Sequence, residues 1–111
     1  MEGDRAYICR LIDIYGGALS ERRRDMVDLY YNEDLSLAEI GENCGLTRQG
    51  VSDSIRRTVA ELYALEASLG IYAKSERVMA LAAEILACGD IAKAHRLAEQ
   101  ITGVLQIKVK L

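Results

Sequence analysis

An all-helical fold built around a helix-turn-helix is predicted by three observations. The 111 residues contain no proline to interrupt helices. Six tyrosines are the only aromatic residues, so alanine, leucine and isoleucine must fill the core, which suits helix packing. Between Leu35 and Leu62, LSLAEIGENCGLTRQGVSDSIRRTVAEL reads as a short helix, a turn with glycine and a second helix with polar residues near its start. The expected architecture is five or six helices: an N-terminal helix, the helix-turn-helix domain over residues 1–72, and a helical hairpin and tail over residues 73–111. The two parts are expected to pack as one compact unit. A chain of this length buries roughly two-thirds of its unfolded surface, enough for a core without disulfide or metal staples.

The first helix is read over Arg5 to Tyr15, where Tyr7 or Ile8, Leu11, Ile12, Ile14 and Tyr15 make a wide apolar stripe that Gly16 and Gly17 stop. Ser20 caps the next helix, whose buried side is expected from Met26, Leu29 and Tyr30. Its first turn carries Arg22, Arg23 and Arg24, the only basic run in the chain. Cations there oppose the positive end of the helix dipole, so the run is either three solvated arginines or a contact for a phosphate or acidic partner. Asn32, Glu33 and Asp34 form the loop that follows.

Ser36 and Glu39 then spell a capping box, in which each residue satisfies the other's backbone amide. Leu37, Ile40 and Cys44 share one face of the short helix, and Gly45 ends it in the left-handed conformation. Gly41 is small enough for the next helix to cross close to it. Thr47 caps that second helix, and Val51, Ile55, Val59, Leu62, Leu65 and Leu69 keep helical spacing until Gly70. Leu37, Ile40, Leu46, Val51, Ile55 and Leu62 are expected to be buried together. At about 100° per residue, Gln49, Asp53, Arg56 and Ala60 gather on the opposite side, with Ser52 and Arg57 at its edges. This polar face meets water or a partner.

Beyond Gly70 the composition shifts, with eight alanines between Ala73 and Thr102. Ser75 and Asp90 mark two further helix starts around Gly89. Val78, Leu81 and Ile85, then Ile91, Ala94, Leu97 and Ile101, give an antiparallel hairpin with closely packed helices. The alanine-rich hairpin and the long helix before it offer more apolar surface than a small monomer covers, so a homodimer is expected. The closing VLQIKVKL alternates apolar and polar residues and reads as an edge strand, a docked tail or a frayed end.

Composition removes several classes of function. Cys9, Cys44 and Cys88 are odd in number and far apart, with only His95 beside them, so neither a disulfide framework nor a metal site is expected. No serine, cysteine or carboxylate pair comes with a nearby histidine, and glycine-rich phosphate loops are absent. Neither an enzyme nor a bound cofactor is therefore expected. The start lacks a basic stretch followed by an apolar run, and the longest apolar segment, Val78 to Cys88, is shorter than a membrane helix and contains Glu84. A soluble protein of the reducing cytoplasm is expected, without membrane insertion.

The run from Ile12 to Ile71 resembles the bacterial YlxM family of small proteins associated with the signal recognition particle pathway, the likeness covering residues 6 to 72. It rests on Asp13 to Ser20 (D-x-Y-G-x-x-L-S), Leu29 to Ile40 (L-Y-Y-x-x-D-x-S-L-x-E-I) and Thr47 to Arg57 (T-R-Q-x-V-x-D-x-I-x-R). The resemblance implies an all-α fold with a module similar to region 4 of the sigma-70 factors, in the winged-helix-like DNA-binding superfamily. It also implies an accessory or regulatory role in that pathway. Two positions depart from the family pattern: Gly50 stands where alanine is usual, and Ser52 where tyrosine is usual. Sigma-type modules also bury an apolar residue three positions after the one matching Val51; here that position is Ser54 and the apolar residue is Ile55.

Two functional readings follow. In one, the chain binds the particle's RNA, its GTPase or the GTPase's receptor; in the other, it is a transcriptional regulator that reads DNA. The candidate contact residues are Arg48, Gln49, Ser52, Arg56 and Arg57 on the second helix of the motif, with Arg22, Arg23 and Arg24 beside it. Between Glu21 and Glu66 stand six arginines, no lysine and ten acidic residues, a net charge of −4. A duplex-binding unit carries a basic footprint, because affinity grows with each phosphate neutralised. This charge favours a compact partner.

Overall fold

The computed structural model describes residues 4–106 and is all-helical among them. Six α-helices follow in order: α1 (Arg5–Tyr15), α2 (Glu21–Tyr31), α3 (Leu37–Cys44), α4 (Arg48–Leu69), α5 (Ile71–Ala87) and α6 (Ile91–Leu105), with a 3₁₀ turn at Gly16–Ala18 after α1. The chain divides into two compact units at Leu69 and Gly70.

In the first unit, α1, α2 and α3 each pack against α4 or one another around a core of Ile8, Leu11, Met26, Ile40, Ile55 and Leu62, all at most 1% exposed. The polar caps fall where the sequence puts them. Ser20 Oγ accepts from the Arg23 amide, and Thr47 Oγ1 accepts from the Gly50 amide. The Ser36–Glu39 capping box is complete, with both reciprocal hydrogen bonds formed. The Ser36 backbone amide first, and its side chain second, hold the Glu39 carboxyl below the usual glutamate range. The ionised form is the one that closes the box. Its contribution is therefore present above the ordinary carboxylate pKa and is lost as pH falls through the lowered one. Ser36→Ala is expected to move the Glu39 titration part of the way upward, read by carboxyl NMR.

The close approach at Gly41 comes from the residues that lead into the second helix: a Cβ built on it would lie 2.6 Å from the Leu46 carbonyl oxygen and 3.6 Å from the Thr47 carbonyl carbon, so its small size lets the turn fold back. Two packing details differ from the expectation. On α2 the buried residues are Met26, Val27 and Tyr31, with Leu29 and Tyr30 half-buried. On α4 the buried set is Val51, Ile55, Thr58 and Leu62, while Val59 is only half-buried. Thr58 tolerates burial because its hydroxyl donates to the Ser54 carbonyl at 2.9 Å and accepts from Arg23 Nε at 3.1 Å. Leu37 and Leu46 are half-buried at the edge of the predicted core, and Ile14 and Leu69 are exposed.

Polar braces tie the unit across long sequence distances. Arg23 Nη1 pairs with Glu61 at 2.7 Å, and the Tyr15 hydroxyl donates to Glu66 at 2.6 Å, joining α2 and α1 to α4. The Arg5 guanidinium lies over the Tyr30 and Tyr31 rings and bonds the Tyr30 carbonyl and Asp34. Burial is the main cause that pushes the Tyr31 hydroxyl above its usual pKa, and among the described residues that oxygen has no hydrogen-bond partner.

In the second unit, α5 and α6 form an antiparallel hairpin, with Arg77 donating to Gln100 across it. Asp90 caps α6, as expected. Ser75 starts nothing, however, because Gly70 in the left-handed conformation (φ 63°) turns the chain from α4 directly into α5 at Ile71. Val104 and Leu105 end α6, and the rest of the alternating tail, residues 107–111, lies outside the described residues.

Candidate nucleic-acid or partner interface

The α3–α4 pair has the geometry of a helix-turn-helix because of two backbone choices. Gly45 adopts φ 69°, and its amide and that of Leu46 both return to the Gly41 carbonyl. A side chain with a Cβ is disfavoured in that conformation, so glycine sets the turn. Thr47 then restarts the helix, which fixes the direction in which the first turns of α4 project.

The outward face of α4 carries Gln49, Ser52, Asp53, Arg56, Arg57 and Ala60, and Asp53, Arg56, Arg57 and Ala60 line a shallow open depression along it. Three of the candidate residues are already engaged with this face. Gln49 Nε2 donates to Asp53 Oδ1 at 3.0 Å, Arg56 Nη1 lies 3.8 Å from the same oxygen, and Arg56 Nη2 donates to Ser52 Oγ at 3.3 Å. Asp53 thus links the two side chains best suited to read a base edge or a phosphate. Spacings of four and three residues bring such groups together on a helix, so the signal was present in the sequence, yet Asp53 was absent from the predicted contact residues. Arg48 and Arg57 are exposed and, among the described residues, make no side-chain hydrogen bond or ion pair.

The arginines of α2 do not form one patch. Arg22 donates to the Cys44 carbonyl at 3.3 Å and so holds the end of α3. Arg23 points inward to Thr58 and Glu61. Arg24 is exposed beside Gly16, in a depression also lined by Glu21, Asp25 and Asp28. Successive helical residues diverge by about 100°, so one run of three serves three purposes. His95 is exposed and lies 3.2 Å from Glu99. Among the described residues no group of three or more metal-ligating side chains converges, and no helix is long and apolar enough to cross a membrane.

A family model described as a helix-turn-helix protein, YlxM/p13 like, matches residues 3–102. A UPF0122 protein of Clostridium kluyveri is 41% identical over 75 residues, covering 68% of each chain. One from Caldanaerobacter subterraneus is 35% identical over 88 residues, 79% of this chain and 75% of the relative. One from Symbiobacterium thermophilum is 40% identical over 92 residues, 80% and 86% of the two chains.

Proposed function

This chain belongs to the YlxM/p13-like family of helix-turn-helix proteins, and from that membership we propose that it is a non-enzymatic accessory or regulatory protein of the bacterial signal recognition particle pathway. In this reading the outward face of α4 engages the particle's RNA or its GTPase. The pathway is what the resemblance to YlxM proteins implies. The observation that carries the choice of a compact partner over a DNA duplex is the position of Asp53. Its carboxylate stands in the middle of the face and engages Gln49 and Arg56, leaving Arg57 as the arginine of that face with no side-chain partner among the described residues. Long polyanions are bound by neutralising many phosphates, and a unit at −4 with one unengaged arginine on the face is poorly equipped for that. A compact partner requires only a few well-placed contacts. Cys9, Cys44 and Cys88, all unpaired and half-buried, support a reducing cytoplasmic setting.

The test is capture from bacterial lysate with and without nuclease, combined with duplex selection at physiological salt. Retention of the particle's RNA that nuclease abolishes identifies an RNA partner, and retention of the GTPase after nuclease identifies a protein one. Recovery of one preferred duplex at nanomolar affinity would replace this reading with the transcriptional regulator, and Arg56→Ala would then weaken it by ~1–3 kcal/mol and relax its preference. Asp53→Ala is expected to release Gln49 and Arg56 and to confer weak, sequence-independent duplex binding. The salt dependence of that binding should steepen by about one counterion relative to the parent.

A further inference from the structure

Tyr63 is the exposed member of the six tyrosines; the other five are buried or half-buried. It follows Arg56 on α4 at the same spacing at which Arg56 follows Gln49. At about 100° per residue, that spacing returns the helix to within ~20° of its starting direction, so Gln49, Arg56 and Tyr63 stand along one outward stripe. Leu62, one residue earlier, is fully buried. Tyr63 is 38% exposed, and its ring meets the Tyr7 ring of α1 with centroids 5.6 Å apart and planes tilted by 37°. A ring already held by a neighbour loses less freedom when a ligand stacks on it.

The ring adjoins the polar face. Ala60 is the neighbour of Tyr63 on the helix surface, and it lines the shallow depression together with Asp53, Arg56 and Arg57. Helical side chains lean toward the N-terminus of their helix, so Tyr63 leans over the turn of Val59 and Ala60, the edge of that depression. Along the axis it lies about 10 Å from Arg56 and Arg57, on the order of three stacked nucleotides of one strand. Arg56 and Arg57 against Asp53 give this stripe a charge of 2 − 1 = +1 within a unit at −4.

We propose that Tyr63 is a base-stacking residue and that the ligand of this stripe is an unpaired RNA segment, with a base on the Tyr63 ring and adjoining phosphates at Arg56 and Arg57. The proposal rests on the reading of α4 as the contact face and selects RNA over protein. Phosphate neutralisation contributes little on a stripe at +1, so a complex there needs attraction that does not depend on net charge. Stacking supplies it, because every base has a π-face. Paired bases keep those faces inside the duplex, whereas loops, bulges and ends splay them out. A protein interface centres instead on several apolar or aromatic anchors. Among the described residues Tyr63 is the only exposed large hydrophobic side chain on this stripe.

Fluorescence anisotropy of the full chain with two labelled RNAs tests this: a hairpin with an unpaired, adenine-rich loop, and a blunt duplex of the same stem sequence. The loop should bind ~10-fold or more tightly than the duplex, and its exact sequence should matter little. Tyr63→Leu keeps an apolar side chain against Tyr7 and should weaken loop binding ~10-fold or more without changing its salt dependence, whereas Arg57→Ala should lower the salt slope by about one. Tyr63→Phe keeps the ring and should bind within about threefold of the parent. The chain has no tryptophan, so Tyr63→Trp places a single reporter at the site, and the loop should quench its emission while the duplex does not. Loop binding that Arg57→Ala weakens and Tyr63→Leu spares would overturn the stacking role and leave the α4 face standing as the contact surface. Equal affinity for loop and duplex, or tryptophan emission unchanged at saturation, would also overturn the proposal. So would the absence of binding to either RNA, and retention of the GTPase after nuclease would then assign the face to a protein.

Discussion

Replacing Ile55 by alanine is expected to destabilise the first unit by about 2–5 kcal/mol, the largest loss foreseen for any single side chain here. Ile55 is fully buried on α4, as are Ile40, Val51 and Leu62, so the truncation removes transfer free energy and leaves a cavity that fixed helices cannot close. Small domains are stable by only ~5–15 kcal/mol in total, so the variant would sit near the unfolding threshold. Chemical denaturation followed by circular dichroism measures it; a loss below about 1 kcal/mol would mean that Ile55 does not anchor the motif. The neighbouring position supplies the contrast. Ser54 is half-buried and contributes its carbonyl to Thr58, so Ser54→Ala keeps that backbone contact and should cost far less.

The second large effect is expected at Gly41. An alanine there would place its Cβ 2.6 Å from the Leu46 carbonyl oxygen, and the obstacle is backbone, which cannot rotate away as a side chain could. The Leu46 amide is already bonded to the Gly41 carbonyl at 2.9 Å, so relief requires opening the turn that aims α4. Overpacking of this sort costs roughly 1–3 kcal/mol. Gly17→Ala is the matched control, because a Cβ there meets nothing within 4 Å; it should be neutral or slightly stabilising. Equal melting temperatures for the two variants would show that the turn is free to open and that Gly41 has no special role.

The parts of this fold legible in the sequence are those fixed by local chemistry. Ser36, Glu39, Gly45 and Thr47 determine the helix-turn-helix through contacts spanning three to five residues, and Ile40, Val51 and Ile55 follow from helical period. What sequence reading missed depends on partners far along the chain. Thr58 is buried in place of Val59 because Arg23, 35 residues away, supplies the hydrogen bond that makes a buried hydroxyl tolerable. The same contact withdraws Arg23 from the candidate interface. Tyr31 rather than Tyr30 faces inward because the stripe on α2 is set by where α1 and α4 approach it, and its weak apolar patterning fits either choice. Ser75 resembles a cap, but Gly70 had already redirected the chain. The outward direction of Gln49, Arg56 and Arg57 follows from helical period; missing was the recognition that Asp53 engages Gln49 and Arg56.

That face has a consequence for how such proteins diverge. Among the described residues, Gln49, Ser52, Asp53 and Arg56 bond only to one another through their side chains, whereas the frame beneath them is held by Gly41, Gly45, Thr47 and the apolar side of α4. Outward face and scaffold are therefore separable: exchanging two or three outward residues alters the charge and hydrogen-bonding groups of the surface without touching a core atom or a turn. A lineage can retarget such a module from one macromolecule to another by point substitution alone, and similarity in the frame then carries little information about the ligand, which is recorded in the composition of a single helical stripe.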